Sequence, residues 1–263
     1  MISDIIFVPG ICSVGSIVYK ALTEELEKII PSTKLHIIDL PSVDAIATNA
    51  NLEPNGFQAD LNAVGAQIKP LVDAGKSVLI VAHSYGGTPA LYASEGLWKT
   101  QRTGQTGGVV KIALLSSSLA LPGGTVAGDR EAWKKSNGQP EDPMPQMQQH
   151  GKELFIIPTG FEHAWMNDVT DEAIRASLKP SPLSTVLTPT PEADVKIWDI
   201  AYLATTDIDL GMAEAFQKHL ADRARESGAK VQYKTIKSGH FVQVSHAKEV
   251  AEWVQSLVGD SSE

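Results

Sequence analysis

The chain predicts an α/β fold: a mostly parallel central sheet of about six strands, flanked by helices. Three observations predict it. Short apolar runs of strand length alternate with amphipathic segments along most of the sequence, the order that a parallel sheet covered on both faces requires. One such run, Ser-Val-Leu-Ile-Val-Ala at residues 77–82, leads directly into a turn of small residues and then into Gly-Gly-Thr-Pro-Ala, a helix start. The 263 residues are 43% hydrophobic and 20% charged, enough to bury one large core.

The first strand is placed at residues 4–8 and is followed by a helix at 16–29, whose apolar residues Ile17, Val18, Leu22, Leu26 and Ile29 recur at helical spacing. A second strand at 34–39 precedes a helix at 56–74 carrying Phe57, Leu61, Val64, Ile68, Leu71 and Val72, with Pro70 set to disturb its last turn. Further strands are read at 77–82, 109–115, 197–204 and 230–237, with helices at 211–224 and 247–258. One stretch, about 121–191, breaks the alternation. It is rich in Pro, Gly, Gln and Met and shows only short helical patterns. A loop of that length does not fit a compact domain, and its large side chains argue against disorder, so it is read as a helical lid inserted in a single domain spanning 1–263. Trp133, Met144, Phe161 and Trp165 of this lid, with Phe241, are the candidates for lining a substrate pocket.

Composition narrows the function. A formal charge of -9 disfavours nucleic acid or an anionic membrane as partner, because both need a basic face. The apolar runs fall far short of a bilayer span, and the start of the chain carries no basic, then apolar leader, so a cytoplasmic protein is expected. The single cysteine, Cys12, forbids an intramolecular disulfide and is read as a small loop residue. No histidine and acid spacing suggests zinc, and neither a metal nor another cofactor is expected.

The chemistry centres on Ala82-His83-Ser84-Tyr85-Gly86. A small-x-Ser-x-small turn between strand and helix forces the serine hydroxyl out from the sheet, and the small neighbours make room for the crowded backbone. Ser84 is therefore the candidate nucleophile. A serine hydroxyl needs a base, and the base needs an orienting acid. His240, in Ser-Gly-His after the last strand, supplies the first, and Asp207, in Thr-Thr-Asp after the preceding strand, supplies the second, with Asp209 and Asp199 as nearby alternatives. Both lie beyond the carboxyl ends of strands, where sites of open α/β sheets assemble. The other histidines are less well placed: His83 faces away from the Ser84 hydroxyl and reads as a structural hydrogen-bonding residue, His246 starts a helix, His36 lies in a strand, His219 in a helix, and His150 and His163 in the insertion. Oxyanion donors are expected from the Tyr85 N–H and from the Pro9-Gly10-Ile11-Cys12 loop, where Ile11 is nominated with Cys12 as its alternative.

These motifs, with Phe7-Val8-Pro9-Gly10 and Asp39-Leu40-Pro41, resemble the α/β-hydrolase superfamily over nearly the whole chain, and above all its small capped members of the plant methylesterase and hydroxynitrile lyase type and their fungal and microbial relatives. The resemblance implies an α/β-hydrolase fold, a Ser84–Asp207–His240 triad, and Ile11 and Tyr85 as oxyanion donors. Pro9 stands where the family usually has histidine. Hydroxynitrile lyases of this group carry threonine and lysine where this chain has Ile11 and Phe241, which disfavours cyanohydrin cleavage. The expectation is a cofactor-independent esterase or lactonase acting on a small, mostly apolar ester or lactone. A ligand-sensing receptor of the same fold, or a biosynthetic lyase, is the alternative.

Overall fold

A computed structural model describes residues 2–140 and 145–259. Its central sheet contains β1 (Asp4–Val8), β2 (Lys34–Ile37), β3 (Ser77–His83), β4 (Gly108–Leu115), β8 (Asp199–Asp207) and β9 (Lys230–Ser238), in the order β2-β1-β3-β4-β8-β9. All five pairings are parallel. Three further short strands belong to the insertion described below.

Period-two alternation decides which face each side chain takes. Ile6, Val8, Ile80, Ala82, Ile112, Leu114, Ile200 and Tyr202 join one buried cluster with Val64 and Ile68 of the helix Gly56–Asp73, Leu91 of the helix Gly87–Ala93 and Leu220 of the helix Glu214–Glu226. Their neighbours Ile5, Phe7, Leu79, Val81, Ala113, Leu115, Ala201 and Leu203 join the other with Leu22 and Leu26 of the helix Lys20–Ile29 and Val250 and Val254 of the helix Ala247–Gly259. Strands apolar on both faces are what a sheet sandwiched between helix layers demands. The chain runs from β1 to β2 on one side and then returns to place β3 on the other, so strand order reverses between β1 and β3, the switch point beside which sites of open α/β sheets assemble.

The element boundaries depart from the sequence reading in instructive places. The first helix divides into Gly15–Val18 and Lys20–Ile29 around Tyr19, whose hydroxyl is drawn inward to donate to the Val8 carbonyl at 2.8 Å. Pro70 is accommodated near the end of its helix, which continues to Asp73. The helix expected from 211 starts at Glu214 because the residues before it are used in a turn around Asp209.

The insertion between β4 and β8 is not simply helical. It holds the helix Val126–Ser136, several one-turn helices and a second sheet of β5 (Gln146–His150), β6 (Glu153–Ile157) and β7 (Ser181–Pro182), paired antiparallel in that order. The Leu-Phe-Ile-Ile run of β6 favours a strand, and Gly151, at φ +59°, permits the tight reversal from β5.

Candidate active site

Four strand ends build the site. At the end of β3, Ser84 sits at φ +51°, the strained left-handed conformation expected of a sharp strand-to-helix turn. Small residues are obligatory around it: a Cβ on Gly86 would lie 2.3 Å from the Pro9 carbonyl oxygen, and one on Gly10 would lie 2.9 Å from Ser84 Cβ. The loop after β1 is thereby pressed against the elbow.

His240 follows β9 and reaches across to Ser84, with Nε2 2.9 Å from the hydroxyl oxygen. Its other ring nitrogen, Nδ1, is 3.2 Å from Asp209 Oδ2 and 2.9 Å from Ser116 Oγ. Ser116, at the end of β4, donates to the same carboxylate oxygen at 2.6 Å, closing a hydrogen-bonded triangle of Ser116, His240 and Asp209 on the side of the ring away from Ser84. Ser116 is fully buried and held at φ +39°, a conformation that serine adopts at a cost.

The carboxylate that meets His240 is that of Asp209, not of Asp207 as expected. β8 runs three residues further than its apolar pattern suggests, and Asp207 is still paired in register with Ser238. Its side chain is exposed, 3.3 Å from Lys237 Nζ. The chain then turns, and Asp209 is enclosed. Its Oδ1 accepts the Gly211 and Met212 N–H groups at 2.8 and 2.7 Å, and its Oδ2 accepts from Ser116, Thr205 and, at 3.3 Å, Gln217. Burial alone would raise the carboxyl; the charge of His240 and hydrogen bonds from His240, Ser116 and Thr205 outweigh it and bring it down to about 2. The carboxylate thus stays ionised and can hold an imidazolium.

The rest of the Ser116-Ser117-Ser118 run braces the elbow. Ser117 Oγ donates to the Ser84 carbonyl at 2.7 Å, and Ser118 N–H donates to the same oxygen at 2.9 Å. None of these serines stood out in the sequence; the signal available was three consecutive hydroxyls just beyond a fully apolar strand. His83 behaves as a structural residue: it is buried, its Nε2 lies 3.0 Å from the His240 carbonyl, and burial first, then the His240 charge, hold it well below the usual histidine range. Tyr85 is buried behind the elbow and donates through its hydroxyl to Asp60 Oδ2 at 2.9 Å. Asp60 also accepts the Ser42 N–H at 3.0 Å, and burial pushes its carboxyl up to about 7 against the hydrogen bonds that lower it.

Of the two loop amides, Cys12 N–H is committed to Ser181 Oγ of the insertion at 3.1 Å, leaving Ile11 as the nominated donor. Burial pushes the Cys12 thiol up to about 12, so it is no nucleophile near neutrality. The aromatic candidates for substrate contact pack against other rings. Phe161 and Trp165 stack on each other with centroids 4.9 Å apart, and Trp133 rests on Phe216 at 5.3 Å. Phe241 is buried in the cluster beneath the helices Lys20–Ile29 and Ala247–Gly259, its ring 4.6 Å from that of His83, so it serves the core. Met144 lies outside the described residues. Among the described residues, no group of three or more His, Cys, Asp and Glu side chains could hold a metal ion, and no helix is long and apolar enough to cross a membrane.

Comparison with known proteins agrees with this architecture. A family model described as the alpha/beta hydrolase family matches residues 5–253, and the chain belongs to that family. No curated protein matches it significantly. Among solved structures it is similar to polyneuridine aldehyde esterase (TM-score 0.74, 17% identity, covering 98% of this chain and 100% of that one). It is likewise similar to a pyrethroid hydrolase from Sphingobium faniae JZ-2 (TM-score 0.71, 18% identity, 100% and 99% covered). A third similar structure is tomato methylketone synthase I complexed with 2-tridecanone (TM-score 0.69, 14% identity, 99% of each chain covered). At such identities the likeness is one of fold.

Proposed function

Taking membership of the alpha/beta hydrolase family as the premise, we propose that the protein is a serine hydrolase cleaving a small, mostly apolar carboxylic ester or lactone, with Ser84 as nucleophile, His240 as base and Asp209 as orienting acid. The observation that carries this reading is the 2.9 Å contact between Ser84 Oγ and His240 Nε2, with the carboxylate on the opposite nitrogen. Two serines touch the imidazole, and only one can be the nucleophile. Ser116 is fully buried on the Nδ1 side, whereas Ser84 is partly exposed at the tip of the elbow, where a substrate carbonyl can meet it.

Ser84 Oγ attacks the carbonyl carbon as its proton passes to His240 Nε2, and Asp209 keeps the Nδ1 proton in place and stabilises the imidazolium. The backbone N–H groups of Ile11 and Tyr85 receive the oxyanion. The imidazolium then protonates the leaving alkoxide, or the ring oxygen of a lactone, leaving an acyl-enzyme. Water, deprotonated by His240, attacks that ester and releases the acid and Ser84. The apolar preference draws on Ile11, Leu121, Val126 and Val186, partly buried apolar side chains beside the core cluster on one face of the sheet. A role for residues 121–191 as cover of this pocket draws on the bonds joining them to the β1 loop, Cys12 N–H to Ser181 and Lys179 N–H to the Cys12 carbonyl at 2.8 Å.

The test is hydrolysis of short aryl esters together with stoichiometric fluorophosphonate labelling. Labelling should map to Ser84 and vanish in Ser84→Ala, with kcat falling at least about 10⁴-fold. Undiminished hydrolysis by that variant would overturn the assignment.

A further inference from the structure

We propose that two consecutive residues of the insertion, Asn167 and Asp168, are positioning residues for both the acid and the base, so that the reaction read above depends on how this part of the insertion is docked. The base and the acid sit on separate loops after β9 and β8. The residue immediately before each is gripped from the insertion. Asp168 Oδ2 accepts the Gly239 N–H at 2.7 Å and the Ser238 hydroxyl at 3.2 Å, one and two residues before His240. Asn167 Nδ2 donates to the Ile208 carbonyl at 2.8 Å, one residue before Asp209. A single short segment therefore spans the gap between the two loops whose separation sets the contact of His240 Nδ1 with Asp209.

The grip is anchored and tight. On either side of the pair, Met166 and Val169 are buried in the core cluster under the sheet, so the segment is fixed to the body of the protein rather than hanging from the loops. Gly239 has no room for a side chain: a Cβ would lie 2.3 Å from Asp168 Oδ1 and 2.6 Å from Asn167 Oδ1. Asp168 Oδ1 is itself buried and has no hydrogen-bond partner among the described residues, so one carboxylate oxygen has given up solvent while the other holds the Gly239 N–H. A carboxylate to a backbone N–H is a charge-assisted bond, stronger than its neutral counterpart. The chain of contacts continues away from the site, with Ser238 Oγ 3.1 Å from Ser245 Oγ. Neither Asn167 nor Asp168 touches the reacting atoms. They act through the backbone of the residues that do, and displacement of a catalytic group by about 1 Å is enough to cost about 10²-fold in rate.

The experiment compares wild type with Asp168→Ala, Asp168→Asn and Asn167→Ala for aryl-ester kcat and KM, fluorophosphonate labelling rate, melting temperature and the side-chain NMR resonances of His240. Asp168→Ala should lower kcat and the labelling rate about 10- to 100-fold with KM changed less than about twofold. Asp168→Asn, which keeps an acceptor for the Gly239 N–H, should recover most of that loss, and Asn167→Ala, an exposed substitution compatible with folding, should cost about 3- to 10-fold. In every folded variant that slows, the His240 ring resonances should shift or broaden. Wild-type kcat and unshifted His240 resonances in folded Asp168→Ala and Asn167→Ala would overturn the proposal, as would a loss confined to KM or melting temperature. Absence of fluorophosphonate labelling in wild type would instead refute the hydrolase reading, while the resonances would still report whether the segment positions His240.

Discussion

The central sheet and the insertion obey different rules of construction. In β3, Leu79 and Val81 face one cluster while Ile80 and Ala82 face the other, and all four are fully buried. The insertion has no such economy: β5 is almost wholly exposed, its helix Val126–Ser136 buries no residue completely, and its aromatic rings meet in pairs such as Phe161 on Trp165. Yet the insertion is stitched to the functional edge by specific polar bonds, from Ser181 to Cys12 and from Asp168 to Gly239. Apolar burial on both faces makes the sheet a stiff platform, and a few directed hydrogen bonds set what lies over and beside the site. Stability is thus concentrated in one region and positional control in both.

The largest expected effect sharpens this division within the platform itself. Asp209→Asn should lower kcat by about 10⁴-fold, because the amide upsets the tautomer and charge that His240 needs, while Asp207→Asn should change it less than about twofold. Steady-state kinetics on the two variants decides between two carboxylates only two residues apart. Truncation separates the regions by stability. Ile80→Ala in the sheet should cost about 2–5 kcal/mol of unfolding free energy, and Phe161→Ala in the insertion no more than about 1.5 kcal/mol, read from denaturant midpoints. Equal losses would break the contrast.

A smaller effect concerns Ser116. Removing its hydroxyl in Ser116→Ala leaves Asp209 with its other donors, so kcat should fall about tenfold while stoichiometric labelling at Ser84 persists. Loss of labelling in the folded variant would return Ser116 to contention as the nucleophile. The smallest expected effect involves pH. Asp60 has its carboxyl raised from 3.8 to about 7 by burial, so between those values the folded protein retains a proton that the unfolded chain releases. Stability from this group is present below 3.8 and is lost as pH rises through about 7. Asp60→Asn should remove that slope, gaining on wild type as pH rises toward neutrality, checked by melting temperatures across the range.

Ser84 and His240 were legible because each sits in a local pattern with a local cause: small residues around a forced turn, and a glycine turn ahead of a histidine. The acid was not. Asp207 and Asp209 differ by two positions, and in an extended chain such residues share a face, so alternation could not separate them. The choice was made by the extension of β8 in register with β9 to Ser238, and by the turn in which the Gly211 and Met212 N–H groups close on Asp209. The antiparallel β5–β7 sheet was equally hidden, since β5 is polar and exposed, β7 is only two residues long, and the one apolar run, in β6, lacks a partner with the same pattern nearby in the chain.

By itself, then, the order of apolar periods determined a parallel sheet with helices on both sides, and the crowding around residue 84 determined where the Ser84 hydroxyl would stand. Which carboxylate completes the site, the bridging hydroxyl at Ser116 and the hold of Asn167 and Asp168 on both loops were decided only in three dimensions. Local steric rules act within a few residues and are written along the chain. The direction of a hydrogen bond between segments as far apart as residues 116, 168, 209 and 240 exists only once packing has brought their backbones together.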